Sequence, residues 1–453
     1  MKRLLFLLHF LFLAASLAGP ASAQVKLSPS EMRELAGQAV VQGQPGLAYD
    51  LSGALIGRDE SDLNAHLIRS RAARDLGKND DALLHARRAW ALADTEDAKY
   101  AAALANAQAL SSAGRRTAAQ IWLRRAVQLA PSDDLKARAA QDFRYVRAQN
   151  PWSTAFSFSV SPSSNINNGS RNETSELFDL PFVFQLEGEA RALSGIEMAA
   201  GFSTRFRMLS TQFKNTDLLF GASHKTYELS EDAKDIAPDA RGSDFASSQA
   251  FVGVAETYRL DSGKAQLGWD LRFGRSWYSG KPLFDYARAG VSYRQLIGKR
   301  GLARGTLFRE VQTGQNGRDD ATVWNAQIGF GHSLSNGNQL SFSAGYVVSD
   351  SDADYLDYTK RSIGAVYSIA RPIGPAQLEF GLTASEKRHD RSNLTADGRT
   401  ERRVEARVTA ALPDVEFYGF VPTVTLRAER TDANLDIYET ESLGLQLGVR
   451  SAF

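Results

Sequence analysis

The side chains that could do chemistry are few and dispersed. Six histidines stand at His9, His66, His85, His224, His332 and His389, and none forms a His-x-x-x-His or His-Glu pairing. A helix-borne zinc site needs such spacing to place two ligands on one face, so the pattern offers no metal centre. There is no cysteine, which removes disulfides, thiolate nucleophiles and Cys-ligated metals from consideration. Neither a glycine-rich phosphate loop nor a Gly-x-Ser-x-Gly elbow is present. One arrangement stays open, because a Ser/His/Asp set need not be adjacent in sequence: a catalytic group at the rim of a barrel, with His224 or His332 as its base. The abundant carboxylates read more simply as the lining of a wet interior. The expectation is a protein without catalytic residues, metal or cofactor.

The elements that would position these residues are strands. The chain closes on Leu443, Leu445, Leu447, Val449, Ser451 and Phe453, alternating with Gly444, Gln446, Gly448 and Arg450. One oily face and one wet face, ending on an aromatic, suit the wall of an outer-membrane barrel. Similar runs precede it. Ala265, Leu267, Trp269, Leu271 and Phe273 alternate with Gln266, Asp270 and Arg272; Val404, Ala406, Val408 and Ala410 alternate with Glu405, Arg407 and Thr409. A soluble sandwich also alternates, but it rarely sustains strands this long over three hundred positions. Tilted strands of about 9–11 residues already cross a bilayer.

The bulk numbers agree. The 53 basic and 52 acidic residues nearly cancel over 453 positions, giving no reason to expect nucleic acid as a partner. Mean hydropathy is −0.31, a soluble-looking value that barrels share because half of each strand faces a polar interior. Lys2 and Arg3, the apolar stretch from Leu4 to Leu17, and Ala21-Ser22-Ala23 form a secretory signal with cleavage between Ala23 and Gln24. An uncleaved anchor is the alternative, and the apolar run is short for it.

From 24 to 149 the residues recur with helical spacing. Gly77 is followed by Ala82, Ala86 and Ala89, and Gly114 by Ala119, Leu123, Ala126 and then Pro131. This resembles the tetratricopeptide repeat, in which a glycine ends the first helix and small residues let neighbouring helices approach. A degenerate earlier unit spans Pro29 to Gly57, turning at Gly43-Gln44-Pro45-Gly46. A plain helical spacer is the alternative. Asn150-Pro151 marks the switch from a period of 3.6 to a period of 2.

The expected fold is therefore α + β multidomain. A signal (1–23) precedes an α-helical repeat domain (24–149), a connecting segment (150–176) and a transmembrane antiparallel β-barrel (177–453). Counting back from Phe453 with the last strand ending in the periplasm gives about 14 strands, beginning with runs at 177–193 and 196–209. Tight turns such as Leu260–Gly263 and Arg371–Gly374 then fall on the periplasmic side, and long polar loops near 230–244, 350–356 and 386–400 fall outside, as barrels require. The turn before Ile196 breaks the rule, being short yet on the outer side. A fifteenth run, Trp152 to Val160, would make the count odd, so it is placed outside the wall. The rival count is 16, with that run included and another split.

Between helices and barrel lie Asn150-Pro151-Trp152 and the strand-and-turn segment Phe156 to Asn168, containing Pro162, Asn165, Ile166 and Asn167. In the order signal, short repeat domain, barrel and terminal Phe, the whole mature chain resembles the surface lipoprotein assembly modulator family. Ser161-Pro162-Ser163-Ser164-Asn165-Ile166-Asn167-Asn168 is the most specific part of the match. The resemblance implies a 14-stranded outer-membrane barrel with its helices in the periplasm. It implies delivery of client proteins, either surface lipoproteins or soluble secreted proteins, to the cell exterior, the helices meeting the client or a periplasmic chaperone. It brings no catalytic residues and no cofactor. The other partners expected are outer-membrane lipid and the barrel-assembly machinery. An exopolysaccharide exporter and a passive diffusion pore are the competing readings.

The alternation in the last strand makes its own prediction. Leu445, Leu447, Val449 and Phe453 form the expected barrel-assembly signal. Deleting Phe453 is expected to lower the outer-membrane level of the protein, measured by quantitative immunoblotting of membrane fractions. Leu447→Arg is expected to cost roughly 2–4 kcal/mol of barrel stability if the residue faces lipid at mid-membrane.

Overall fold

The computed structural model describes residues 26–451 apart from 179, 181 and 396; the signal with Ala23 and Gln24, and the terminal Phe453, lie outside the described residues. Chain contacts divide into two units, at Val146 and Arg147. The larger is a closed antiparallel barrel. Its wall runs β1 (Trp152–Ser163), β4 (Gly195–Ser210), β5 (Lys214–Leu229), β6 (Ser247–Leu260), β7 (Ala265–Tyr278), β8 (Lys281–Ile297) and β9 (Gly301–Gly314). It continues through β10 (Ala321–Ser333), β11 (Gln339–Asp350), β12 (Tyr358–Ser368), β13 (Gln377–His389), β14 (Arg399–Ala411), β15 (Phe420–Ala433) and β16 (Thr440–Ser451), which returns to β1. Two three-residue strands, β2 (Thr174–Glu176) and β3 (Val183–Gln185), pair only with each other.

Alternation sets which way each side chain points. Leu443, Leu445, Leu447 and Val449 stand opposite Ala428, Leu426, Val424 and Pro422 of β15, and all four are exposed on the outer face. Phe156 is 81 % exposed and faces Phe202, while Ser157 and Gly201 beside them face inward. An apolar outer belt around a closed ladder is the arrangement of an outer-membrane barrel, since closure leaves no edge for lipid to contact.

The expected count of 14 holds, but its membership changes. The Trp152–Val160 run, expected outside the wall, is β1 and closes the barrel between β16 and β4. The 177–193 run, expected to be the first wall strand, is not in the wall. The physical reason is closure: β16 needs a partner, and Trp152–Ser163 pairs with β16 and along its whole length with β4, whereas among the described residues of 177–193 the only strand is β3, and it pairs with β2. The wall therefore starts at Trp152, within the expected connecting segment and not at 177. The topological exception disappears with this correction. The chain enters at Trp152 and leaves after Ser451 at one end, where 211–213, 261–264, 298–300 and 334–338 are short turns. At the other end lie 164–194, 230–246, 351–357 and 390–398, with Ser279-Gly280 the one tight turn among them.

The smaller unit has seven helices among the described residues: α1 (Pro29–Val41), α2 (Pro45–Arg58), α3 (Leu63–Asp75), α4 (Asn79–Leu92), α5 (Glu96–Ser112), α6 (Arg116–Leu129) and α7 (Asp133–Gln149). Ser28 and Glu31 close a capping box on α1, and Asp62 and Thr95 cap α3 and α5. Gly43, Gly77 and Gly114 take φ of +71°, +75° and +74°, a region other residues enter only under strain. After each, the next residue's N–H returns 2.8 Å to a carbonyl five positions back: Gln44 to Ala39, Lys78 to Ala73, Arg115 to Leu110. Three equivalent turns thus make three helix pairs, and α7 follows them. The degenerate unit at Pro29–Gly57 is the first pair. Ala82, Ala86, Ala89, Ala119 and Ala126 are fully buried. The Asn106 amide donates to the Ala86 carbonyl at 2.8 Å, tying α5 to α4.

Two histidines that looked scattered in sequence meet between α3 and α4. His66 Nδ1 lies 2.8 Å from His85 Nδ1, with the rings stacked at 5.1 Å. His66 Nε2 lies 3.0 Å from the Glu60 carbonyl, and Arg69 Nε donates to His85 Nε2 at 3.2 Å. The contacts fit one pair of tautomers, His66 donating through Nε2 and His85 through Nδ1. In that arrangement a proton added to His85 sets its Nε2–H against the Arg69 Nε–H. Burial holds the His85 pKa below its usual value, opposed in part by Asp81 at 3.4 Å. The unfolded chain, with an ordinary histidine near 6.5, therefore takes up a proton first. Stability of the helical unit is expected to be complete above about pH 6.5 and to fall as pH drops toward the lower folded value. Thermal unfolding followed at 222 nm across pH 5–8 measures this, and His85→Gln is expected to flatten the dependence.

Candidate conduit, mouth and binding groove

The inner wall is built unevenly. On β14 and β15 the inward row carries an ion-pair ladder. Arg403 contacts Glu429, and Arg427 bridges Glu405 at 2.8 Å and Glu429 at 3.2 Å. Arg407 reaches Glu379 of β13 at 3.7 Å. Across β7 to β9, Arg272 pairs with Asp270 at 2.8 Å and Arg288 donates to Glu310 at 2.7 Å. Charged pairs on the water-filled side cost little to keep, because the lumen solvates what it does not pair. The arc around β1 is different. Its own inward positions, Ser153, Ala155, Ser157, Ser159, Ser161 and Ser163, carry no charge, although they face Glu197, Ala199, Gly201, Ser203 and Arg205 on β4 and lie beside Gly444, Gln446, Gly448 and Arg450 on β16.

At the end opposite the chain termini the 164–194 segment is fastened to neighbouring loops, and the residues singled out in sequence hold its base. Asn165 folds back on Gly169, its Oδ1 accepting from the Gly169 N–H at 3.2 Å and its Nδ2 donating to the Gly169 carbonyl at 2.9 Å. Asn167 clasps the returning strand. Its Oδ1 accepts from the Leu193 N–H at 2.9 Å, and its Nδ2 donates to the carbonyls of Glu189 and Arg191 at 2.8 and 2.9 Å. Ile166 between them is buried with Leu193, Leu229 and Phe245, and with Ala233 of a short helix α8 (Glu231–Ile236). Gly169 is obligatory: a Cβ there would stand 2.1 Å from the Arg191 carbonyl oxygen. Pro162 and Trp152 belong to β1 itself, Trp152 packing on Phe206 with centroids 4.7 Å apart.

From the clasp the segment reaches two further loops. Ser170 Oγ donates to the Asp436 carbonyl at 2.8 Å, and Arg171 pairs with Glu439 at 2.7 Å, both in the β15–β16 loop. The Phe178 N–H donates to the Leu394 carbonyl in the β13–β14 loop at 2.7 Å. On the opposite side the 230–246 loop lies against β5, where a Cβ on Gly242 would fall 1.8 Å from the Tyr227 carbonyl oxygen. Sequence reasoning found Asn165, Ile166 and Asn167 but missed Gly169, Arg171 and Glu439. No local signal marks a pair separated by 268 positions.

The helical unit offers a groove of about 270 Å³ between α3, α5, α6 and α7, lined by Arg74, Gln108, Ser111, Leu123, Asp142 and Tyr145. Arg74 and Gln108 are hydrogen-bonded across it. Tyr145 is 68 % exposed at its edge. Burial raises the Asp142 carboxyl above the usual carboxylate range. His224 and His332 do not make a catalytic set. Both stand on the outward parity, His224 2.8 Å from Ser248 Oγ and His332 stacked by Phe330, and among the described residues no carboxylate joins either.

No protein-family model and no curated protein matches the chain. Solved structures that resemble it are barrels of the outer membrane. The loop L8 deletion mutant of OmpT, an outer membrane protein of Vibrio cholerae, is 8 % identical with a TM-score of 0.35, covering 66 % of this chain and 99 % of that one. An outer membrane channel from Pseudomonas putida F1 is 10 % identical with a TM-score of 0.33, covering 65 % and 95 %. A bacterial polysaccharide outer membrane secretin is 10 % identical with a TM-score of 0.32, covering 65 % and 98 %. Likeness this loose carries no argument about activity.

The clasp generates a prediction. Asn167→Ala leaves the Leu193 N–H and the Arg191 carbonyl without their side-chain partner, at about 1–3 kcal/mol for each group left unsatisfied. The 170–190 stretch is expected to become cleavable by protease added to whole cells, at sites resistant in the parent. Purified Asn167→Ala protein in planar bilayers is expected to show frequent openings where the parent conducts little.

Proposed function

We propose that this protein carries polypeptide passengers, surface lipoproteins or soluble secreted proteins, from periplasm to cell surface. The end with the chain termini and short turns faces the periplasm, the helical unit stands there, and the clasped mouth opens to the exterior. The observation that carries this reading is a segment fastened among the loops at one end of the barrel, in a chain whose helical unit carries a groove. A diffusion pore needs neither a segment fastened there by Asn165, Asn167 and Arg171 nor a repeat-type domain with a groove. The helices receive a passenger or a chaperone that holds one, and the barrel is the way out. No nucleotide or cofactor enters; folding of the passenger outside supplies direction.

Polysaccharide export is the second reading, favoured by the inward arginines at 403, 407 and 427, whose charge suits an acidic polymer. Those arginines are matched by Glu405, Glu429 and Glu379, which weakens that pull.

Deleting Gln24–Gln149 is expected to leave the barrel assembled and heat-modifiable on gels while lowering surface display of the passenger. Tyr145→Ala with Arg74→Glu is expected to do the same to a smaller degree. Surface biotinylation against a strain lacking the whole gene reads the display; unchanged display in the helix-deleted strain sinks the proposal.

A further inference from the structure

One seam of the barrel is only half sewn. β1 pairs with β4 at every position from Trp152 opposite Phe206 to Ser163 opposite Gly195. β15 pairs with β16 from Phe420 opposite Ser451 to Thr431 opposite Thr440. Between β1 and β16 the ladder holds only at Val160 opposite Leu447 and Ser163 opposite Gly444. Just beyond, the Ser164 N–H donates to the Leu443 carbonyl at 3.1 Å, and Ser163 and Ser442 hydroxyls meet at 3.3 Å. The same register sets Ser157, Phe158 and Ser159 opposite Arg450, Val449 and Gly448, and no ladder joins them there. The strands are not far apart: the Phe158 carbonyl oxygen is 3.8 Å from where a Gly448 Cβ would be. Among the described residues the paired positions of this ladder lie in the half of the seam toward the mouth.

Backbone groups left without partners at membrane depth are costly, which is why barrels close. The β1–β16 ladder, with two paired positions among the described residues, is the shortest between neighbouring strands of the wall; the inward side chains beside it at Ser157, Ser159 and Gly448 are small, and Arg450 is drawn off to Gln377 Oε1 at 2.6 Å. An acyl chain cannot satisfy N–H and C=O groups; an extended polypeptide can, by adding itself as a strand. We propose that the lower half of the β1–β16 seam parts to take an extended stretch of the passenger as a temporary extra strand. This rests on the passenger-transport reading and names the surface that contacts the passenger inside the wall.

The chain has no cysteine, so a lock can be introduced without background. Ser159→Cys with Gly448→Cys, or Ser157→Cys with Arg450→Cys, bridges the seam on oxidation. Thr409→Cys with Thr425→Cys, opposite each other in the complete β14–β15 ladder, is the control lock. The reporter is whichever surface protein is lost from the strain lacking the gene, found by surface biotinylation and mass spectrometry. Locking the seam is expected to lower its display at least tenfold, with recovery on adding reductant, while the control lock changes little and all barrels stay heat-modifiable. Full display through an oxidised seam overturns the proposal and leaves transport standing. If the gene-deleted strain loses no surface protein, both fall. A photoreactive residue at Ser159 adds a second measurement: a polypeptide adduct there, absent at Thr425, supports the seam, and adducts with lipid alone overturn it.

Discussion

Everything in the larger unit depends on one constraint: a backbone hydrogen bond cannot be traded for water inside a bilayer. It forces the strands into a closed ladder, makes their alternation strict, and sends the apolar rows outward. It also explains why a first strand near the start of the wall sequence must meet the last. β1 and β16 lie some three hundred residues apart, and closure is what brings them together. The ladder between them is the shortest in the wall among the described residues, and the inward side chains of β1 are small and uncharged.

The mouth follows a different logic. There the chain is outside the ladder, and short polar side chains replace strand partners. Asn165 and Asn167 act as surrogate backbone, each using carbonyl and amide at once, so that a 31-residue excursion (164–194) returns beside its own start. Ile166 between them turns the same three residues into an anchor for an apolar cluster. Ion pairs from Arg171, distant in sequence, fix the free part to the neighbouring β15–β16 rim. A segment held by a few polar contacts at its base is easier to release than a strand of the wall.

In the helical unit the same economy appears with glycine and alanine. Three left-handed glycines set three turns, and fully buried alanines set the helix spacing. The packing draws His66 and His85 into a hydrogen-bonded pair, and leaves a groove along α3, α5, α6 and α7.

Much of this was legible in order of residues. A period of 2 with apolar and polar rows determined strands of a barrel, because alternation reports two environments without reference to neighbours. Gly77 and Gly114 with their trailing alanines determined helix pairs, because a left-handed turn and a close approach are local demands. The count of 14 followed from parity, since both termini share one side. Which runs made up that count was decided by the tertiary structure: Trp152–Val160 and 177–193 both alternate, and the need for β16 and β4 to find a shared partner separates them. The fastening of the 164–194 segment, the Arg171–Glu439 pair and the meeting of His66 with His85 were likewise invisible. Each depends on residues far apart in the chain meeting in space, and periodicity carries no information about distance.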